Sequence, residues 1–222
     1  MNNATAHALA TRVFKEILKA RSCKDLLQIV ASDPILYRNR LDRENYPELR
    51  LFISTEEIKA LKASGVLTQN GRLHADLSAT NMSPLEKLLY AMAWKNGDLS
   101  KIAHIVDGVH SAGSTIPRES GPGQVFHQFG RHLADRNEPI IDQHVLRGFK
   151  LWRTPGVDEK QTNSIRRMSL LDRQSDWIGA YKLWLKTAAL TTELRQDSQH
   201  VINIDSVLFA LGKTLKLGRI DT

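Results

Sequence analysis

Gly121-Pro-Gly-Gln-Val-Phe-His-Gln-Phe-Gly-Arg-His-Leu-Ala-Asp-Arg-Asn-Glu-Pro-Ile-Ile-Asp-Gln-His-Val-Leu-Arg-Gly-Phe149 is the stretch on which the fold turns. A Gly-Pro-Gly turn opens an apolar-periodic segment from Gln124 to Ala134, Pro139 interrupts it, and a second periodic segment runs from Asp142 to Trp152. Apolar residues spaced by three and four put one face of a helix against a core, so both segments read as helices. A glycine turn that opens a helix leaves backbone N–H groups unpaired at the positive end of the helix dipole, where a phosphate is favoured. Asp142 stands where the second helix begins, as an N-cap carboxylate.

The same period extends in both directions. Upstream, a helix is expected from about Ala6 to Ala20, with Leu9, Val13, Phe14, Ile17 and Leu18 on one face, and a shorter one over Asp25–Ala31 that Asp33-Pro34 ends. Residues 34 to 53 read as irregular, and Ser54-Thr55-Glu56-Glu57 as a capping box for a helix that stops at Gly65. Asn70-Gly71 predicts a small hairpin within 66–76. Ser83-Pro84-Leu85-Glu86 starts a helix whose stripe is Leu85, Leu88, Leu89, Met92 and Ala93, and Asp98 caps the next one, to about Gly108. Downstream, helices are expected at Ser175–Leu190 and Asp205–Leu215. The fold class is therefore all-α.

The totals narrow the function classes. In 222 residues with 41% hydrophobic content, apolar runs such as Leu88–Trp94 fall well short of the span a membrane helix needs, about 18 residues. No membrane partner is expected. A single cysteine, Cys23, and an N-terminus without a basic and then apolar leader point to a reducing cytoplasm. Lys and Arg number 31 against 24 Asp and Glu, a formal charge of +7, which favours a polyanionic partner such as nucleic acid.

At this point the quoted stretch resembles the helix-hairpin-helix DNA glycosylases, in particular their 8-oxoguanine glycosylase branch. In that family a Gly-x-Gly hairpin grips the DNA backbone and an aspartate follows an apolar pair, as in Pro139-Ile140-Ile141-Asp142. Ala93-Trp94-Lys95-Asn96-Gly97 and the closing Asp205–Lys213 segment are similar to elements of related proteins. The resemblance implies two helical lobes around a cleft within one all-α unit. About 1–80 would form an N-terminal lobe and 81–152 the hairpin lobe, with 153–222 packing back on the first. It implies a phosphate grip for Gly121 and Gly123, with Gln124, Arg131, His132 and Arg147 completing the nucleic-acid face. Asp142 would be the catalytic carboxylate, with Lys95 a second catalytic candidate. The expected partner is double-stranded DNA with a flipped base, and no cofactor is implied.

The sequence departs from the bifunctional pattern in one respect: Gln124–Ala134 contains no lysine. Schiff-base lyase chemistry then has no nucleophile there, because an arginine stays protonated. The scheme that remains is monofunctional release of a flipped base, with Asp142 stabilising an oxocarbenium-like state and activating water. The missing lysine is also similar to divergent members found as accessories of cyclic-nucleotide-signalling antiphage systems. A rival reading keeps the fold without catalysis, as a module that binds DNA or a nucleotide.

Other clusters carry less. His127, His132, Asp135 and His144 lie close in sequence, but His127 and His132 are five apart, which splays them around a helix, so no metal is expected. Trp177, Tyr181 and Trp184 at helical spacing read as core packing. Arg166, Arg167 and Arg173 read either as phosphate contacts or as a solvated face, and Cys23 has no catalytic pattern around it.

Overall fold

A computed structural model describes residues 1–74, 77, 82–114, 121–169 and 173–217. Among them are α1 (Asn3–Lys19), α2 (Cys23–Ala31), α3 (Pro34–Arg38), α4 (Thr55–Ala63), α5 (Pro84–Lys95) and α6 (Lys101–His110). The order continues with α7 (Gln124–Ala134), α8 (Gln143–Arg153), α9 (Glu159–Arg167), α10 (Ser175–Thr187), α11 (Thr192–Gln196) and α12 (His200–Leu215). The fold is mostly helical. The expected hairpin is present in minimal form, as an isolated antiparallel bridge of Leu67 and Leu73 closed around Asn70-Gly71, with the Thr68 N–H donating to the Arg72 carbonyl at 2.7 Å; Ala75 and Asp76, at the end of that stretch, lie outside the described residues.

Local chemistry sets most helix starts. The capping boxes at Ser54/Glu57 and Ser83/Glu86 form reciprocally, as does one at Ser22/Asp25. Two starts differ from expectation. Asp33 not only closes α2 but caps α3, its Oδ1 accepting from the N–H groups of Ile35 and Leu36, with Pro34 in the first turn. Asp98 does not cap α6: Ser100 holds that position, and the Asp98 carboxylate pairs with Lys101 Nζ. The short helices α9 and α11 lie in stretches too polar to show an apolar period.

The described chain divides into two compact units. One comprises the described residues within Met1–Arg50 and Pro139–Thr222, the other those within Leu51–Ile116 and Gly121–Glu138. The boundary at Glu138 cuts the glycine-opened stretch in two.

In the first unit α12 packs on α8 and also meets α1, α2 and α3. The approach of α12 to α8 is set by Gly212, where an added Cβ would fall 1.8 Å from the carbonyl oxygen of His144. In the same unit Phe14 stacks on Trp152 at 4.1 Å, and Phe149 meets Tyr181 and Trp184 edge-on or tilted at 5.2 and 5.9 Å. Tyr181 and Trp184 are buried, as their spacing predicts.

In the second unit α6 and α7 cross through Gly108 and Gly130, and Ile58, Leu67, Val106 and Val109 form a small core. No residue of α5 is buried, so its apolar stripe faces solvent: Leu85 is 64% and Leu88 60% exposed. No helix among the described residues is long and apolar enough to cross a membrane.

Candidate functional site

Asp142 occupies the N-cap of α8 with extended backbone, and its Oδ1 accepts from the N–H groups of His144 and Val145 at 2.7 and 2.8 Å. These bonds satisfy donors that a helix start leaves open. The chain is led into this position by two anchors. Ile141 is buried in the core, and the Ile140 N–H donates to Asp205 Oδ2 at 2.5 Å. Asp142 Oδ2 has no hydrogen-bond partner among the described residues.

Around this carboxylate the first unit gathers polar groups that the sequence did not single out. Asp205 on α12 is buried and also accepts from the Tyr181 hydroxyl at 2.6 Å. Burial holds Asp205 well above the usual carboxylate range, and the nearby charge of Asp142 adds to it. Gln143, next to Asp142, buries its Oε1 without a partner. Gln143 carries no motif, and Asp205 entered only as the first residue of the closing Asp205–Lys213 segment. The Asp205 signal in the sequence is a lone carboxylate in an apolar helix, which reads equally well as a helix start.

Asp142 itself is raised above its ordinary value because burial outweighs the two backbone N–H donors and the charge of Arg147. His144 is pushed down to about 4, first by burial and then by Arg147, so its ring is neutral near pH 7. Its Nδ1 accepts from Arg147 at 2.7 Å, and its ring meets Phe209 edge-on at 4.9 Å. Chemically the arrangement offers one anchored carboxylate oxygen and one open one in a partly desolvated place. Such a group can accept a proton from water or stabilise a developing cation.

Arg147, expected on the nucleic-acid face, is fully buried. It donates to the Gly212 carbonyl at 2.9 Å and to that of Met168, tying α8 to its neighbours. Burial brings its pKa down to about 10 against the opposing pull of Asp142. Two of its donors are thus taken up by carbonyls of its own unit.

The glycine turn belongs to the second unit and is described there. Gly123 is the N-cap of α7 with φ +77°, and an added Cβ would lie 2.2 Å from the His104 ring. Conformation and space therefore both demand glycine at this point. Among the described residues no side chain caps α7 at Gly123. Gly121 has open space around it, and residues 115–120, which precede it, lie outside the described set.

The α7 side chains expected to touch DNA are turned inward. Gln124, Arg131 and His132 are all buried. Arg131 donates to the carbonyls of Ser111 and Ser114 and to Glu138 Oε1 at 2.7 Å. His132 Nδ1 bonds the Glu138 carbonyl at 2.7 Å, and burial lowers its pKa. Arg131 and His132 thus fasten loops from inside the unit, where an exposed nucleic-acid face was expected. Lys95 is exposed in the last turn of α5, whereas Lys101 lies 4.8 Å from the Phe126 ring centroid at the start of α7. Among the described residues no group of three or more His, Cys, Asp or Glu is arranged to hold a metal. The Cys23 thiol is pushed up to about 11, by burial first and Asp197 second, so it is not a reactive thiolate.

No protein-family model, no curated protein and no solved structure matches the chain.

Proposed function

We propose that this protein acts on nucleic acid as a monofunctional N-glycosylase, with Asp142 as the catalytic carboxylate. The observation that carries the reading is the open, partly desolvated Oδ2 of Asp142, beside the buried Asp205 and the unpartnered Gln143 Oε1. In this scheme the bond from C1′ to the flipped base breaks and the base leaves with the electron pair. The sugar becomes oxocarbenium-like, Asp142 offsets the positive charge, and water adds at C1′ as its proton passes to the carboxylate. The net charge of +7 supports a polyanionic substrate.

The burial of Arg131, His132 and Arg147 favours a second reading, in which the fold binds DNA or a nucleotide without chemistry, because three expected contacts are spent on the protein itself. Asp142→Asn separates the two. The exchange keeps an N-cap that is nearly as good. Catalysis predicts loss of base release by about 100-fold or more, with duplex affinity kept, when wild type and variant are incubated with duplexes carrying modified bases. Equal release by the two proteins, or no release by the wild type from any substrate, removes the catalytic reading.

A further inference from the structure

A second candidate site lies in the first unit, on residues that the glycosylase reading does not use. A groove of about 660 Å³ is lined by the start of α1 (Asn3, His7), by Val157 and by α9 (Thr162, Arg166, Arg167). Arg166 is 2% exposed. Its Nε donates to the Leu215 carbonyl at 2.9 Å, and its two terminal nitrogens to Asn3 Oδ1 at 2.6 Å and the Met1 carbonyl at 3.0 Å. All three acceptors are neutral. Among the described residues no carboxylate lies within ion-pair distance of Arg166.

A guanidinium taken out of water costs several kcal/mol unless a counter-charge meets it. Neutral oxygens orient Arg166 but leave its charge uncompensated. The groove it lines is where a counter-charge would fit. Arg167 stands beside it, exposed, and also lines an adjoining groove with Lys160. The positive end of the α1 dipole points the same way, with Asn2 as its N-cap. Glu159 is a carboxylate on the wall, and it forms no ion pair with either arginine.

The remaining lining selects the kind of anion. His7 Nε2 and Thr162 Oγ1 lie 3.3 Å apart, and Asn3 Nδ2 donates to Asn163 Oδ1 at 3.1 Å, so one wall is a row of ordered polar groups. Pro155, Val157 and Leu217 add apolar surface. Inorganic phosphate alone would fill a small part of this space, while pockets of this size hold ligands with a ring and several polar groups. We infer that the groove binds a phosphate-bearing small molecule of mononucleotide size, its phosphate facing Arg166 and Arg167 and its sugar or base on the polar and apolar walls.

The test is calorimetric titration of the full chain, at fixed ionic strength, with the four 5′-mononucleotides, their nucleosides, inorganic phosphate and a duplex oligonucleotide. At least one mononucleotide is expected to bind saturably, with its nucleoside weaker by about tenfold or more. Arg167→Glu, a rim change that touches none of the Arg166 bonds, is expected to weaken the nucleotide by about tenfold with an unchanged circular dichroism spectrum. Lys59→Glu, in the second unit, should leave binding as it was. Saturable binding by none of the mononucleotides overturns the inference. So does binding indifferent to Arg167→Glu, or a charge-reversal effect seen with the duplex alone. The outcome is independent of base release and of Asp142.

Discussion

Gly212→Ala is expected to destabilise the first unit by about 3 kcal/mol or more, near or above the upper end of what overpacking usually costs. The new Cβ would lie 1.8 Å from the His144 carbonyl oxygen and 2.5 Å from its carbon, and these are backbone atoms that cannot swing aside. α12 and α8 must separate, and with them the aromatic layer built on Phe149. Each kcal/mol lowers the melting temperature of a chain of this size by roughly 2 to 4 °C, so a fall of about 6 to 12 °C is expected. Tryptophan fluorescence reports it well, since Trp152, Trp177 and Trp184 belong to this unit. Gly179→Ala in α10 is the control. Nothing lies within 4 Å of its added Cβ, so only the better helix propensity of alanine acts and stability should hold or rise. Equal losses for the two variants would show that the close approach at Gly212 is not what joins these helices.

The second large effect is expected in the other unit. Arg131 and Glu138 are an ion pair with side chains only 4% and 7% exposed, and Gln128 donates to the other Glu138 oxygen at 3.0 Å. Arg131→Met takes the ion pair with Arg131 away from the buried Glu138 carboxylate and removes the Arg131 bonds to the carbonyls of Ser111 and Ser114. Breaking such a pair from one side costs about 3 to 5 kcal/mol. Glu138→Leu should cost a similar amount. The double variant should lose clearly less than the sum, because neither charge is then left alone in the interior. Urea unfolding of the four proteins checks this. Strict additivity would mean that the two side chains act separately.

These two cases mark where sequence reading reached its limit. Helical class, the capping boxes at Ser54 and Ser83 and the N-cap at Asp142 follow from local chemistry, and local chemistry decides them in the fold. Tyr181 and Trp184 were legible as core because their spacing and their chemistry agree. Gly108, Gly130 and Gly212 were not. A glycine inside a helix shows in sequence as lost propensity, and its value appears only when a second backbone lies against it.

Arg131, Arg147 and Arg166 misled in the same way. Arginine is a surface residue by habit, and nothing local reveals that carbonyls from distant turns will converge on it. The stripe on α5 misled in reverse, since a correct amphipathic pattern says which face is apolar but not that a partner within the chain covers it. At the candidate site Asp142 was legible as a cap. Asp205 and Gln143, brought to it by α12 packing and by the turn into α8, were not.

The account rests on Asp142 being more than a cap, and its titration decides that most directly. An ordinary N-cap carboxylate, bonded by two backbone N–H groups in water, titrates below its usual value. Burial of the Asp142 carboxyl pushes it the other way, above its ordinary value. A carboxyl whose folded-state pKa is raised binds its proton more tightly when folded. Its contribution to stability is therefore complete below 3.8 and falls away as pH rises through the folded value. Carbon-detected NMR of the aspartate carboxyls, with the Asp142 signal assigned by its loss in Asp142→Asn, measures the value in the intact protein. A pKa above 3.8 is the predicted result, and one at or below 3.8 would contradict the account.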